Sequence, residues 1–473
     1  MNKSENKHTT DMTRGSPLRL ILTFALPLLL GDCFQLVYST VDTMVAGHFL
    51  GEGAIAAIGS TGVVFSLLMN FTWGLNSGYC ISLSRAFGSG DRTQFRRSVA
   101  VMVLLNALIA VLFTSLALTA IAPVMRLLKT PDTIFADARR YIAIIIGGMT
   151  ATVAYNMATG FMNAVGNSRV PLYFLIFSSV VNVALDLLFV ALFGWGIAGC
   201  AAATVIAQSL SAVLCFAYIL RTYADLLPRR SDMSRAALVP LVREMLSAGL
   251  SMALMQSVVG LGTVVLQRAI NLLGTDYIAA HAASRKLFDL LMVPMSTLAI
   301  ANATFTSQNY GAKRLDRIRE ANRTLIFWEL LWSLFSVAVA WLGGRSLAVW
   351  LTGTANEVIV SNAALYLRFS TLFFFPLGVL FVLRYSMQAL GHKIVPVLSS
   401  GIELTFKILF ALAIVPALGY WGVILTEPIT WVLCAATLAV VYVTRGRQKE
   451  SKSAEHITTG ENYDRTRKTQ SRS

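Results

Sequence analysis

Two carboxylates, an amide and a hydroxyl stand inside long apolar stretches of this chain: Asp42, Asp186, Asn182 and Thr204. An ionisable side chain at the centre of a hydrocarbon layer costs about 2.5–3.5 kcal/mol on insertion scales, so it persists where it is paired, wetted or used. Oxygen-bearing groups of these types can hold a small hard cation such as Na+, by analogy with Ca2+ and Mg2+ sites. Alternatively, two carboxylates drawn together away from water would carry a proton, because both cannot be ionised cheaply. Asn182 and Asp186 stand at i,i+4 and so share one helix face. At 1.5 Å rise per residue, the four positions lie about 8–17 Å below one end of their helices. Asp32, earlier in the same run as Asp42, is a candidate to line a cavity for cationic ligands. Pro27, earlier still, removes a backbone hydrogen bond and marks a candidate hinge or bend.

These residues must be positioned by membrane-spanning helices. The chain is 56% hydrophobic and only 13% charged, with a mean hydropathy of +0.65, whereas soluble domains carry about 25% charged residues. Continuous apolar runs of span length recur about twelve times, at roughly 18–48, 54–84, 97–122, 139–163, 170–193, 196–221, 245–272, 277–307, 323–344, 358–389, 394–416 and 420–444. They do not alternate polar with apolar residues, which predicts helices rather than barrel strands.

The sequence also repeats itself. Leu50-Gly51, Ala56-Ala57, Ser84 and Gly88 recur as Leu273-Gly274, Ala279-Ala280, Ser307 and Gly311. Tyr141, Gly166, Pro171 and Trp195-Gly196 recur as Tyr366, Gly391, Pro396 and Trp421-Gly422. The fold class predicted is therefore all-α integral membrane, about twelve transmembrane helices in two six-helix pseudo-symmetric lobes, with the substrate held between them. The predicted organisation is a cytoplasmic N-terminus over 1–17, an N-terminal lobe over 18–221, a cytoplasmic linker over 222–243, a C-terminal lobe over 244–444 and a disordered cytoplasmic tail over 445–473. The first apolar run lacks a small-residue cleavage site and is expected to stay as the first helix.

The net charge of +15 is distributed as a membrane signal and not a nucleic-acid one. Basic residues collect near the N-terminus, around 85–97, at 221–243 and at 313–323, while the turns near 47–53, 193–197 and 416–420 hold no Lys or Arg. This pattern predicts both termini on the cytoplasmic side of a bacterial inner membrane. Arg126, Lys129, Arg139 and Arg140 dissent, falling on the predicted outer side.

Other chemistries lack their parts. There is no Gly-x-x-x-x-Gly-Lys-Ser/Thr loop, and no nucleophile–base or metal-ligand spacing that would make an enzyme. No cofactor is expected beyond a coupling ion. The five cysteines all fall within predicted spans and read as small packing residues. In the second half, Glu403 and Lys407 read as an intrahelical ion pair, and Arg285 and Lys286 with Asp289 as a structural network. Glu329, Arg384 and Glu427 are further intramembrane charges. Lys407 and Ala411 stand where the first repeat has Asn182 and Asp186, whereas Thr430 matches Thr204.

Over about residues 15–445 the chain resembles the multidrug and toxic compound extrusion (MATE) family. The resemblance rests on Pro27 with Val41-Asp42-Thr43 before Gly47 and Gly51, on Asn182-x-x-x-Asp186, and on Gln308-Asn309-Tyr310-Gly311-Ala312. The branch it is most similar to is that of DNA-damage-inducible protein F, whose cation-site residue types match Asp42, Asn182, Asp186 and Thr204. The resemblance implies a V-shaped pair of lobes and secondary antiport of amphipathic organic cations or drugs against H+ or Na+ by a monomer. A cavity for such cargo would use adaptable apolar and aromatic side chains, with Tyr38, Met69, Phe161, Met162, Met255 and Met292 as candidates beside Asp32. The alternative within the same superfamily is a flippase for lipid or lipid-linked oligosaccharide.

Overall fold

The computed structural model describes residues 9–127, 130–353 and 356–444. The tail predicted as disordered, the first eight residues and Lys129 lie outside the described residues. Among the described residues nine helices are long and apolar enough to cross a membrane, and up to twelve spans result when each bent helix pair is taken as one. The first repeat contributes α1 (Pro17–Leu50), α2 (Glu52–Gly88), α3 (Arg92–Leu127), α4 (Asp132–Gly147 and Met149–Ala164), α5 (Arg169–Leu192) and α6 (Ile197–Thr222). The second contributes α7 (Arg235–Asn271), α8 (Thr275–Gly311), α9 (Leu315–Thr352), α10 (Glu357–Thr371 and Phe374–Ala389), α11 (Ile394–Leu418) and α12 (Tyr420–Thr444).

Most helices outrun the apolar stretches that predict them. The helix α3 begins at Arg92 rather than at residue 97, and α9 begins at Leu315 rather than at 323. Basic first turns such as Arg92–Arg97 are compatible with helix outside hydrocarbon, where their charged heads meet water. For the same reason the linker is shorter than the polar sequence between lobes. The helix α7 starts at Arg235, where Ser234 caps it by accepting from the Ala237 N–H at 3.4 Å. Bends of 43° and 54° divide α4 and α10 at equivalent points of the two repeats, and a 41° bend divides α2. Apolar runs longer than a span leave room for kinks, but hydropathy does not mark where these bends fall. By contrast, α1 runs as one helix through the buried Pro27. Near it the Ser168 hydroxyl donates to the Phe24 carbonyl at 2.8 Å, one residue along from the Thr23 carbonyl whose helical donor the proline removes.

Each lobe has its own apolar core: one around Tyr79, Met102 and Phe161, the other around Phe288, Phe374 and Trp431. Outward-facing leucines stay bare, Leu112 and Leu342 among them, as expected where lipid replaces water. Equivalent contacts recur in the two lobes, α1 on α5 matching α7 on α11, and α2 on α4 matching α8 on α10.

The lobes meet through the first two helices of each repeat, most extensively α2 against α7. At the basic end, α2 and α8 cross backbone to backbone. A Cβ on Gly88 would lie 2.0 Å from the Gln308 carbonyl oxygen, and one on Gly311 would lie 2.0 Å from that of Arg85. Higher on α2, a Cβ on Gly78 or Gly74 would lie 2.5 or 2.6 Å from α7 backbone, whereas one on Gly260 of α7 would meet only side chains, at 3.6 Å. Packing is tightest at the basic end and loosens away from it. Arg85 fastens the same end, donating to Glu244 and to the Ala389 carbonyl, both at 3.1 Å.

Candidate functional site

The contact of α1 with α5, and of α5 with α6, brings Asp42, Asn182, Asp186 and Thr204 into one region of the N-terminal lobe. Asn182 and Asp186 are buried on the inner face of α5, and the helix turns to π geometry over Leu187–Leu192 immediately afterwards. Single π turns of this kind frequently mark functional positions. One oxygen of Asp42, one of Asp186 and the Cys200 sulfur all lie within 4.8 Å of one another. Asp42 Oδ1, both Asp186 oxygens and both side-chain polar atoms of Asn182 are buried without a hydrogen-bond partner among the described residues.

Thr204 sits one turn beyond Cys200 on α6, and its hydroxyl donates to the Cys200 carbonyl at 3.0 Å. That bond uses its proton and leaves its oxygen lone pairs free to face a cation. Tyr38 of α1 encloses a void of about 10 Å3 with Asn182, Thr204, Ser178 and Gln208, which is room for about one water molecule or a small ion. Chemically, the cluster is a set of acceptors short of positive charge, the property needed to take up a proton or a hard cation. From sequence alone Cys200 reads as a small packing residue, although its i−4 spacing to Thr204 is a signal that puts the two on one helix face.

A second cavity, of about 160 Å3, lies between the lobes. Asp32 lines it and accepts from the Thr297 hydroxyl of α8 at 3.0 Å, so α1 and α8 touch through the one charged residue lining it among the described residues. Its other walls are more polar than expected: Asn76, Asn156, Asn163 and Thr304 join Trp73, Met252 and Tyr385. Of the cavity candidates other than Asp32, none lines this space. Phe161 and Met162 are buried in the N-lobe core, Met255 is buried at the lobe interface, Met292 packs on the C-lobe core and Met69 packs beside Ala110 and Met149. Tyr38 lines the smaller void instead. Apolar side chains at helix seams are claimed by packing, and it is the amides and hydroxyls that are left facing the gap.

The equivalent region of the C-terminal lobe is a closed ionic chain. Arg285 of α8 contacts Asp289 at 3.0 Å and Glu427 of α12 at 2.9 Å. Lys407 of α11 lies 3.2 Å from Glu403 and 3.6 Å from Glu427. Arg384 of α10 lies 3.1 Å from Glu403, and the Tyr366 hydroxyl donates to Glu427 at 2.9 Å. The Glu403–Lys407 pair is thus one link of a network spanning several helices and is not an isolated intrahelical bridge. Glu329 of α9 stands apart, fully buried, with both carboxylate oxygens unpartnered among the described residues.

The sequence model of the MatE family matches this chain twice, over residues 27–188 and 250–413, one match per repeat. Among curated relatives, the chain is 27% identical to "Probable multidrug resistance protein YoeA" of Bacillus subtilis over 402 residues, covering 83% of this chain and 85% of that protein. It is 26% identical to DNA damage-inducible protein F of Escherichia coli over 344 residues, 69% of this chain and 71% of that protein. Its fold superposes on a crystal structure described as MATE in the bent conformation with a TM-score of 0.87 and 22% identity, covering 94% of this chain and all of that one.

Proposed function

Because this chain belongs to the MatE family of transporters, we propose that it is a secondary antiporter that expels amphipathic organic cations in exchange for H+ or Na+. The coupling ion binds at Asp42, Asn182, Asp186 and Thr204. The observation that carries this reading is the set of buried, partnerless oxygens on Asp42 and Asp186. Two carboxylates this close and this dry repel one another unless a proton or a metal cation joins them. Na+ would enter here as a co-substrate held by oxygen ligands. The C-terminal lobe offers no comparable demand at the equivalent place, since its acids already face Arg285, Lys407 and Arg384.

Asp32 supplies the attraction for cationic cargo in the central cavity, and Trp73 and Tyr385 supply flat apolar surface for its rings. A space of about 160 Å3 is below the roughly 300–1,000 Å3 that encloses a drug-sized ligand, so cargo enters when the lobes stand further apart. A single acid in an otherwise neutral lining favours cations over lipid-linked anionic sugars. The basic end faces the cytoplasm, following the positive-inside distribution, and the protein works as a monomer in a bacterial inner membrane.

The test is export from proteoliposomes under an imposed pH gradient or an imposed Na+ gradient, one at a time. Asp42→Asn and Asp186→Asn are each expected to lower gradient-driven export at least ~10-fold while leaving insertion intact. Undiminished export in both variants would sink the proposal. Saturable binding of lipid-linked sugars, with none of fluorescent organic cations, would establish the flippase instead.

A further inference from the structure

The residues before α1 form an irregular segment, 9–16, that lies across the seam between the lobes at the basic end. On the N-lobe side, the Thr10 N–H donates to the Val165 carbonyl at 3.1 Å. Gly166, at φ +81°, makes room for that approach, since a Cβ there would lie 2.3 Å from the Thr10 carbonyl oxygen. On the C-lobe side, the Met12 N–H donates to Gln308 Oε1 at 3.0 Å. The Met12 carbonyl accepts from Asn309 and from Arg317, both at 3.1 Å, and the Gly15 carbonyl accepts from Arg317 at 2.8 Å. The Met12 side chain is fully buried in a cluster with Phe305, Leu325 and Val382. Gln308 completes the tie by donating to the Ala164 carbonyl of the opposite lobe at 2.9 Å.

We infer that this segment is a latch: seated, it holds the two lobes closed at the basic end, and the alternate state of the cycle requires it to leave. Arg317 makes the coupling strict. The residue is only 8% exposed, and its guanidinium has no carboxylate within ion-pair distance among the described residues. Two of its three acceptors are carbonyls of the latch. Withdrawing the segment from a closed seam would strand a buried cation, which is costly unless water enters. Release of the latch and hydration of the seam are therefore one event. This also gives the Gln308-Asn309 pair a role that the ion site and the cargo cavity do not use.

The test uses the full chain in lipid nanodiscs and proteoliposomes, with the native cysteines replaced by alanine. Spin labels at Gln94→Cys and Glu320→Cys, exposed positions on opposite lobes at this end, report the separation of the lobes without any substrate. That readout stands or falls independently of the export reading. Met12→Asp is expected to raise the long-distance population at least ~5-fold, and an unchanged distribution overturns the latch. Independently, Met12→Cys with Gln308→Cys, joined by oxidation so that the segment is tied to the opposite lobe, is expected to cut export at least ~10-fold with recovery on reduction. A cross-linked protein exporting at the reduced protein's rate would mean that the segment merely rides on the closed seam.

Discussion

Lys407 occupies in the second repeat the position that Asn182 holds in the first, and the two meet opposite electrical surroundings. Both are buried on the inner face of the fifth helix of their lobe, and each is followed within a turn or so by π geometry, at Leu187–Leu192 and at Phe410–Ile414. Around Asn182 the acids lack partners. Around Lys407 they are paired at 3.2 and 3.6 Å. One duplicated frame thus holds a site that asks for a cation and a counterpart that has built its own.

The C-lobe network is charge-balanced, with Asp289, Glu403 and Glu427 against Arg285, Arg384 and Lys407. Lys407→Met would leave it one positive charge short in a dry environment. Breaking one partner of a buried pair costs about 3–5 kcal/mol, so the melting temperature in detergent should fall clearly. Adding Glu403→Gln restores the balance and should recover part of the loss. A double variant less stable than the single one would refute this accounting.

The N-lobe cluster combines carboxylate oxygens with a thiol, Asp42 and Asp186 with Cys200. Sulfur selects softer metals than Na+. Cd2+ should therefore block export, and Cys200→Ala should raise the inhibitory concentration at least ~10-fold while keeping export itself. Equal sensitivity of the two proteins would place the sulfur outside the ion's reach.

The linker gives a pH test outside the membrane. Asp232 accepts from Arg96 at 2.6 Å, and Arg97 donates to its carbonyl at 2.9 Å. The hydrogen bond from Arg96 holds the Asp232 carboxyl below the usual carboxylate range. Because the shift is downward, the tie is fully present above the unfolded value of about 3.9 and is lost as pH falls through the lower folded value. Amide exchange in residues 225–234 should be faster in Asp232→Asn than in the parent at neutral pH. The two should converge under strong acid, and a constant difference across the range would contradict the assignment.

The parts of this molecule that were legible in its sequence are those set by local spacing. Apolar runs marked the spans, and Asn182 with Asp186 announced a shared face through i,i+4 geometry. What escaped were relations made by distant helices. Glu403 and Lys407 look self-sufficient until α10 and α12 bring Arg384 and Glu427 beside them. Met162 and Met255 look like flexible lining until packing leaves them with no exposure at all. Met12, in a stretch that reads as a polar lead-in, is buried because Gln308, Asn309 and Arg317 converge on it from far along the chain.

The crossing of Gly88 and Gly311 has a mechanical consequence. At 1.5 Å per residue, the part of α2 on the near side of its bend, Phe65–Gly88, is a rod of about 36 Å that is pinned near one end by main chain against main chain. Main chain does not yield as a side chain would, so the pin acts as a fulcrum. Turning the rod about it by ~10° sweeps its remote end through roughly 6 Å, while the pinned end scarcely shifts. The same leverage makes the pin intolerant of wear: a single methyl at either glycine would prise the rods apart where the tolerance is least.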